Sequence, residues 1–140
     1  MTDALRMTIG SGPGEVARVN AAFAEFAKAH ALPASVRRSV HVALDELLIN
    51  TIVYGFTGEA GGGGEASVEV EVRADRVCVT LTDNGRPFDP FGVPLPPPVP
   101  DRIGGLGIHL VRGLMDEVSY QRRGDWNVVV LAKLLREESP

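Results

Sequence analysis

Hydrophobic residues recur with two different periodicities along this chain. In three stretches, 13–30, 35–54 and the segment that follows Gly107, apolar residues return every three or four positions. That spacing places them on one side of an α-helix, so three amphipathic helices are predicted. The glycine-rich run from Gly58 to Gly64 ends the second of them.

The other periodicity is strict alternation of apolar and polar residues, which is typical of a half-buried β-strand. Apolar and polar residues alternate over 67–73 and again over 77–82, and only the short link Ala74-Asp75 separates the two stretches. These two segments are therefore predicted to form a hairpin. Further strands are predicted at Met7–Ile9 and Trp126–Leu134.

These elements follow one another in the order β-α-α-β-β-loop-α-β. Strands and helices do not alternate regularly, which argues against a doubly wound parallel sheet. The order favours a two-layer α/β (α+β) sandwich, in which helices cover one face of a mixed, mostly antiparallel sheet. A chain of 140 residues fits a single domain, and we assign residues 1–140 to it.

A long loop is predicted after Asp83. Five of the ten prolines lie between Pro94 and Pro100, and proline removes a backbone donor, so this stretch cannot be a regular helix or a central strand. A loop of this length in so small a domain is more often functional than idle.

Composition narrows the functional classes. The net charge is −4 and the 14 basic residues are scattered, which argues against nucleic acid as the main partner. The single cysteine, Cys78, excludes an internal disulfide and a multi-cysteine zinc site. No signal peptide and no apolar stretch near the roughly 20 residues of a membrane span are found, so a soluble cytoplasmic protein is expected.

Glu46 and Asn50 form the first of three pieces that carry chemistry. They are four residues apart on the second predicted helix, hence neighbours at the edge of its apolar face. The amide oxygen of Asn50 suits Mg²⁺, which prefers hard oxygen ligands, and the carboxylate of Glu46 suits a general base. An ordinary polar flank with a local Glu–Asn contact would leave the same pattern.

The second piece is the segment Asp83 to Asp89, which directly follows a predicted strand. A carboxylate at the end of a strand can point into a pocket, where Asp83 would accept a hydrogen bond from an exocyclic amine such as that of adenine. Gly85 would let the backbone approach the ring closely. Asn-Gly is also a turn signal in its own right.

The third piece is Gly104 to Gly107, at the start of the third predicted helix. Free backbone N–H groups and the positive end of the helix dipole suit a phosphate, although a flexible hinge would need the same glycines. A P-loop is excluded because both lysines follow alanine, and Leu110 stands where a dinucleotide fingerprint needs a small residue. Arg102 can reach a γ-phosphate or remain solvated.

One magnesium nucleotide held between a helix and a mobile loop explains all three pieces. With these pieces in this order, the sequence resembles the GHKL ATPases, which include gyrase, mismatch-repair ATPases and histidine kinases. It is more similar to the small bacterial anti-sigma-factor serine/threonine kinases, over nearly the whole chain. The stretches that carry the resemblance are 43–50, 83–90, 104–111 and 114–118.

The resemblance implies a Bergerat-type ATP-binding fold, with ATP and Mg²⁺ as cofactors. In that fold Glu46 would be the catalytic base, Asn50 would hold Mg²⁺, and the segment of about 91–107 would be a lid over the nucleotide. The nucleotide-binding residues would be Asn50, Asp83, Gly85, Arg102, Gly105, Leu106 and Gly107.

The resemblance also implies the partners. Members of the family phosphorylate a serine or threonine of an anti-anti-sigma protein of the STAS type, and many bind a sigma factor. A homodimer stays open, with Ile49, Ile52 and Val53 as candidate contacts because they lie off the main apolar face. The last predicted strand has no threonine where many relatives place one near the adenine, and the lid is rich in proline. A second interpretation is therefore a non-catalytic, nucleotide-gated module that sequesters a signalling partner.

Overall fold

A computed structural model describes residues 4–52, 64–92 and 106–135, which form three α-helices and five β-strands. Within these ranges, every helix is too short or too polar to cross a lipid bilayer. The elements are β1 (Ala4–Ile9), α1 (Glu15–Ala29), α2 (Ala34–Asn50), β2 (Ala66–Val72), β3 (Arg76–Asp83), α3 (Leu106–Leu114), β4 (Glu117–Arg123) and β5 (Trp126–Leu134), with a short 3₁₀ helix at Pro90–Gly92.

The five strands form one sheet in the order β1-β2-β3-β5-β4. All of the described pairings are antiparallel, and the predicted hairpin is confirmed as β2 and β3. The two-layer sandwich is therefore confirmed, with a sheet that is antiparallel throughout its described part rather than mixed. The register between β3 and β5 places Asp83 opposite Asn127, a pairing on which the site below depends.

The core lies between the sheet and the helices. Val68, Val70, Val77 and Val79 occupy alternate positions of β2 and β3 and are at most 1% exposed. Burial of one such side chain stabilises the fold by about 1.5–3 kcal/mol. The alternation that predicted these strands is thus the alternation of core-facing and outward side chains. The sandwich in turn fixes where β3 ends, at Asp83.

Strand β4 was missed by the sequence reasoning, which placed only a helix tail before the last strand. It is an edge strand with polar outward residues and half-buried Val118, Tyr120 and Arg122 at alternate positions. Its period-2 signal is weak because only two of the three inward residues are apolar. A turn at Gly124, which has a φ of 57° that favours glycine, joins β4 to β5.

The helix bounds differ slightly from those predicted. Helix α2 ends at Asn50, and Thr51 and Ile52 continue it as a wider π turn. Its predicted end at Tyr54 lies outside the described residues. Helix α3 begins at Leu106 rather than after Gly107, so Gly107 lies in its first turn. Of the predicted lid, residues 93–105 are likewise outside the described part.

Candidate nucleotide-binding site

A pocket lies between the C-terminal part of α2 and the ends of β3 and β5. It brings together Asn50 and Asp83, which the sequence analysis had assigned to two separate pieces. Its described lining consists of Leu47, Asn50, Thr51, Leu81, Asp83, Arg86, Phe88, Pro90, Asn127 and Val129. Apolar walls with a few convergent polar groups are typical of a small-molecule site.

Asp83 lines this pocket and is held through one of its two carboxylate oxygens. Its Oδ1 atom accepts hydrogen bonds from the backbone N–H of Gly85 at 2.9 Å and from Nδ2 of Asn127 at 3.0 Å. Its Oδ2 atom accepts none from the described residues. The half-buried carboxylate is therefore held in one orientation through Oδ1.

The loop that follows Asp83 is fixed by side chains of β4 and β5. The carbonyl oxygen of the buried Gly85 accepts a hydrogen bond from Nη1 of Arg122 at 2.8 Å and a longer one from Asn127 at 3.4 Å. These two hydrogen bonds hold the Gly85 carbonyl in place beside Asp83. Gly85 is not among the described residues that line the pocket; it adjoins the pocket through the hydrogen bond from its N–H to Asp83.

Asn127 is the residue of the site that the sequence reasoning missed. It is 4% exposed, and buried amides are costly unless they are hydrogen-bonded. The available signal was the amide side chain at position 127. Positions 127, 129 and 131 are alternate, inward-facing positions of an otherwise apolar strand. The pairing with Asp83 explains why a polar side chain occupies this inward position.

Glu46 lies one helical turn before Asn50, against the start of α3. A Cβ atom added to Gly107 would lie within 3 Å of the carboxylate group of Glu46, and it would lie 3.0 Å from the Cγ atom of the same glutamate. The half-buried carboxylate of Glu46 therefore occupies the space that a side chain at position 107 would need. The structure thus brings together two residues that are 61 positions apart in sequence, and it places them at a helix N-terminus.

Three other predicted site residues lie wholly or partly outside the described structure. Arg102 and Gly105 lie outside the described residues. Leu106 is the first residue of α3, and only its backbone is described. The phosphate end of the predicted site is thus represented in the structure by Gly107 and the first turn of α3.

The residues present suit magnesium in the presence of a nucleotide. In the described ranges, no cluster of three or more His, Cys, Asp or Glu side chains could hold a metal ion by itself. Magnesium in nucleotide sites needs only one or two protein ligands, because phosphates and waters complete its shell. The half-buried Asn50 amide, which lines the same pocket as Asp83, fits that requirement.

Comparison with known proteins identifies the family. Residues 10–133 match the histidine kinase-like ATPase domain. The chain is 33% identical over 113 residues to the serine/threonine-protein kinase BtrW of Bordetella bronchiseptica, a match that covers 76% of each protein. It is 34% identical over 107 residues to the serine-protein kinase RsbW of Listeria innocua, which covers 69% of this chain and 65% of that protein.

A solved structure shows the same fold. The crystal structure of the RsbU and RsbW domains of a Mycobacterium tuberculosis protein superposes with a TM-score of 0.67 at 15% sequence identity. The match covers 97% of this chain and 34% of that one. Since the family model spans most of the chain, ATP is the expected nucleotide. The chain therefore belongs to the histidine kinase-like ATPase family and falls among its anti-sigma-factor serine/threonine kinases.

Proposed function

We propose that this kinase transfers the γ-phosphoryl group of Mg-ATP to a serine or threonine of an anti-anti-sigma protein of the STAS type, and that it also binds a sigma factor. The observation that carries the site is the meeting of the three sequence pieces around α2. Asn50 and Asp83 line one pocket, and Glu46 lies one turn away against Gly107. The serine/threonine class is supported by the relatives BtrW and RsbW.

The base end of the nucleotide would lie against Asp83. Its Oδ1 atom is already engaged by Gly85 and Asn127, so its Oδ2 atom would accept a hydrogen bond from the exocyclic amine of adenine. Leu47, Leu81 and other apolar residues of the pocket lining offer the flat ring an apolar surface. Burial of the ring and one directed hydrogen bond together give both affinity and orientation.

The phosphates would extend from Asn50 toward the first turn of α3. Asn50 would hold Mg²⁺ through its amide oxygen, and the ion supplies neutralisation of the phosphate charge when it is bound. Backbone N–H groups at the start of α3, including that of Gly107, would donate to phosphate oxygens. Arg102, Gly105 and Leu106 would complete this end.

Glu46 would be the general base. The hydroxyl oxygen of the substrate serine or threonine attacks the γ-phosphorus, the bond from that phosphorus to the bridging oxygen of ADP breaks, and the hydroxyl proton passes to Glu46. Glu46 suits this role because its half-buried carboxylate lies beside the helix N-terminus that would bind the phosphates. Most of the rate would come from positioning and electrostatic stabilisation, as in other phosphoryl transfers.

The neighbouring carboxylate of Asp45 provides a matched control. It accepts a hydrogen bond from Nδ2 of Asn20 on α1 at 3.0 Å and so points away from α3. With radiolabelled ATP and a STAS-domain protein from the same genome, Glu46→Gln should bind ATP within about threefold of the wild type. It should lose phosphotransfer by about 100-fold or more. Asp45→Asn should retain transfer, and wild-type transfer by Glu46→Gln would remove the role assigned to Glu46.

The same experiment separates catalysis from a nucleotide-gated binding module. That alternative was motivated by the last strand without threonine, but Asn127 of that strand holds Asp83 directly. This contact supports a role for the altered strand in the nucleotide pocket. Binding of ATP without transfer of label to any STAS protein would favour the binding module.

A further inference from the structure

The buried amide of Asn127 is hydrogen-bonded on both of its sides. Its Nδ2 atom donates to Oδ1 of Asp83 at 3.0 Å and to the carbonyl oxygen of Arg86 at 2.9 Å. Its Oδ1 atom accepts from the hydroxyl of Tyr120 at 2.6 Å and from the backbone N–H of Phe88 at 3.4 Å. An amide has two N–H donors, and both are thus committed, one to the last residue of β3 and one to the loop that follows it.

This arrangement fixes which way the amide faces. If the amide turned over, its oxygen would face the Asp83 carboxylate and the Arg86 carbonyl, two acceptors, and its N–H groups would face the N–H of Phe88. Each of those contacts is repulsive. These partners fix the orientation of the amide, and the short hydrogen bond from Tyr120 holds the correctly oriented amide in place beside Asp83.

We propose that Asn127, held in place by Tyr120, is a positioning residue that makes the pocket selective for a base with an exocyclic amine. The inference deepens the proposed nucleotide site and rests on it. Oδ2 of Asp83 is left as an acceptor, while the donors of Asn127 are already engaged. A 6-amino purine offers a donor to Oδ2, whereas a 6-oxo purine would place its own acceptor against it.

Two features make the inference testable without unfolding the protein. Gly85 keeps its hydrogen bond from Arg122 when Asn127 is changed, so the loop retains one anchor. Tyr120→Phe removes a single hydroxyl and leaves the ring in place. Ser119→Ala is a matched control, because it removes a hydroxyl from an exposed position of the same strand.

The experiment is calorimetric titration of the full chain with three magnesium nucleotides. These are ATP, inosine triphosphate, which carries an oxygen at C6, and purine riboside triphosphate, which carries only hydrogen there. The wild type should bind ATP about tenfold or more tighter than either analogue, as expected for an acceptor that the bound base covers and leaves unpaired. The affinity for ATP divided by the affinity for purine riboside triphosphate measures this selectivity. Tyr120→Phe should lower this affinity ratio by about fivefold. Asn127→Leu should bring the ratio close to one, and Ser119→Ala should leave it unchanged.

The ratio separates positioning from general stability. If Asn127 and Tyr120 only support the fold, their variants will lower all three affinities by one common factor, and an unchanged ratio overturns the inference. If Asn127→Leu does not fold, the ratio in Tyr120→Phe decides. A wild type that binds ATP and purine riboside triphosphate equally would overturn this inference and the proposed contact between Asp83 and the adenine amine, but it would leave ATP binding and the proposed kinase activity standing. A wild type that binds none of the three would refute the proposed site itself.

Discussion

Replacement of Gly107 by alanine should separate activity from stability. In an ordinary helix this change stabilises by about 1 kcal/mol, because alanine has the better helix propensity. Here the added Cβ would lie within 3 Å of the Glu46 carboxylate. The carboxylate is the far end of a flexible side chain, so it can retreat by changing its χ angles at a cost of about 0.5–1.5 kcal/mol.

The two contributions nearly cancel in the free energy of unfolding. We expect Gly107→Ala to change stability by less than about 1 kcal/mol, which is about 3–5 °C in the midpoint of thermal unfolding for a domain of this size. Activity should respond much more strongly. To regain ordinary contact with the added methyl group, the carboxylate must retreat by about 1 Å or more, and a displacement of that size can cost about 100-fold in rate.

The assay pairs thermal unfolding with single-turnover phosphotransfer to a STAS protein. Gly113 in the same helix is the matched control, because a Cβ atom added there meets no described atom within 4 Å. Gly113→Ala should gain up to about 1 kcal/mol of stability and retain wild-type transfer. Wild-type transfer by Gly107→Ala would refute the reasoning, as would a loss of stability of about 3 kcal/mol, which would indicate that the backbone shifts instead of Glu46.

Two further predictions concern Asp83 and Glu15. Asp83→Asn replaces an acceptor in the pocket with an amide that can donate, so the affinity for ATP should fall by about tenfold while that for inosine triphosphate rises relative to it, as measured by titration. Glu15 accepts hydrogen bonds from Arg18 and from the backbone N–H of Gly10, and chiefly the Arg18 bond lowers its pKa below the usual 4.5. Its contribution to stability is therefore present above about pH 4.5 and lost as the pH falls through the lowered pKa, so thermal unfolding of Glu15→Gln should lack this part of the acid-dependent loss.

The sequence was sufficient for the elements whose pattern is local. The spacing of hydrophobic residues predicted the helices and the β2–β3 hairpin. An element that buries only one face repeats its hydrophobic residues at the period of the helix or the strand. The sequence also predicted Asp83 and Gly107 as candidate site residues, since each lies at the end of an element. Strand β4 was lost because an edge strand buries little and carries polar residues such as Gln121 on its outward face.

Asn127 could not be assigned from a local pattern. Its partner Asp83 is 44 residues earlier, and the two meet only because β3 and β5 pair in one register. A shift of one residue would turn Asn127 to the other face of the sheet. The contact between Glu46 and Gly107 is non-local in the same way, because it depends on how α2 and α3 pack.

Strand β5 connects the two ends of the proposed site. Near its start, Asn127 holds Asp83 at the base pocket. Near its end, Nζ of Lys133 donates to the carbonyl oxygen of Leu114 at 2.7 Å, at the last residue of α3, where a positive charge also favours the helix dipole. Because both contacts come from one inner strand of the sheet, the distance from the base pocket to α3 is set by the core. The described core thus sets the position of α3, whose first turn is proposed to bind the phosphates, relative to the proposed base pocket.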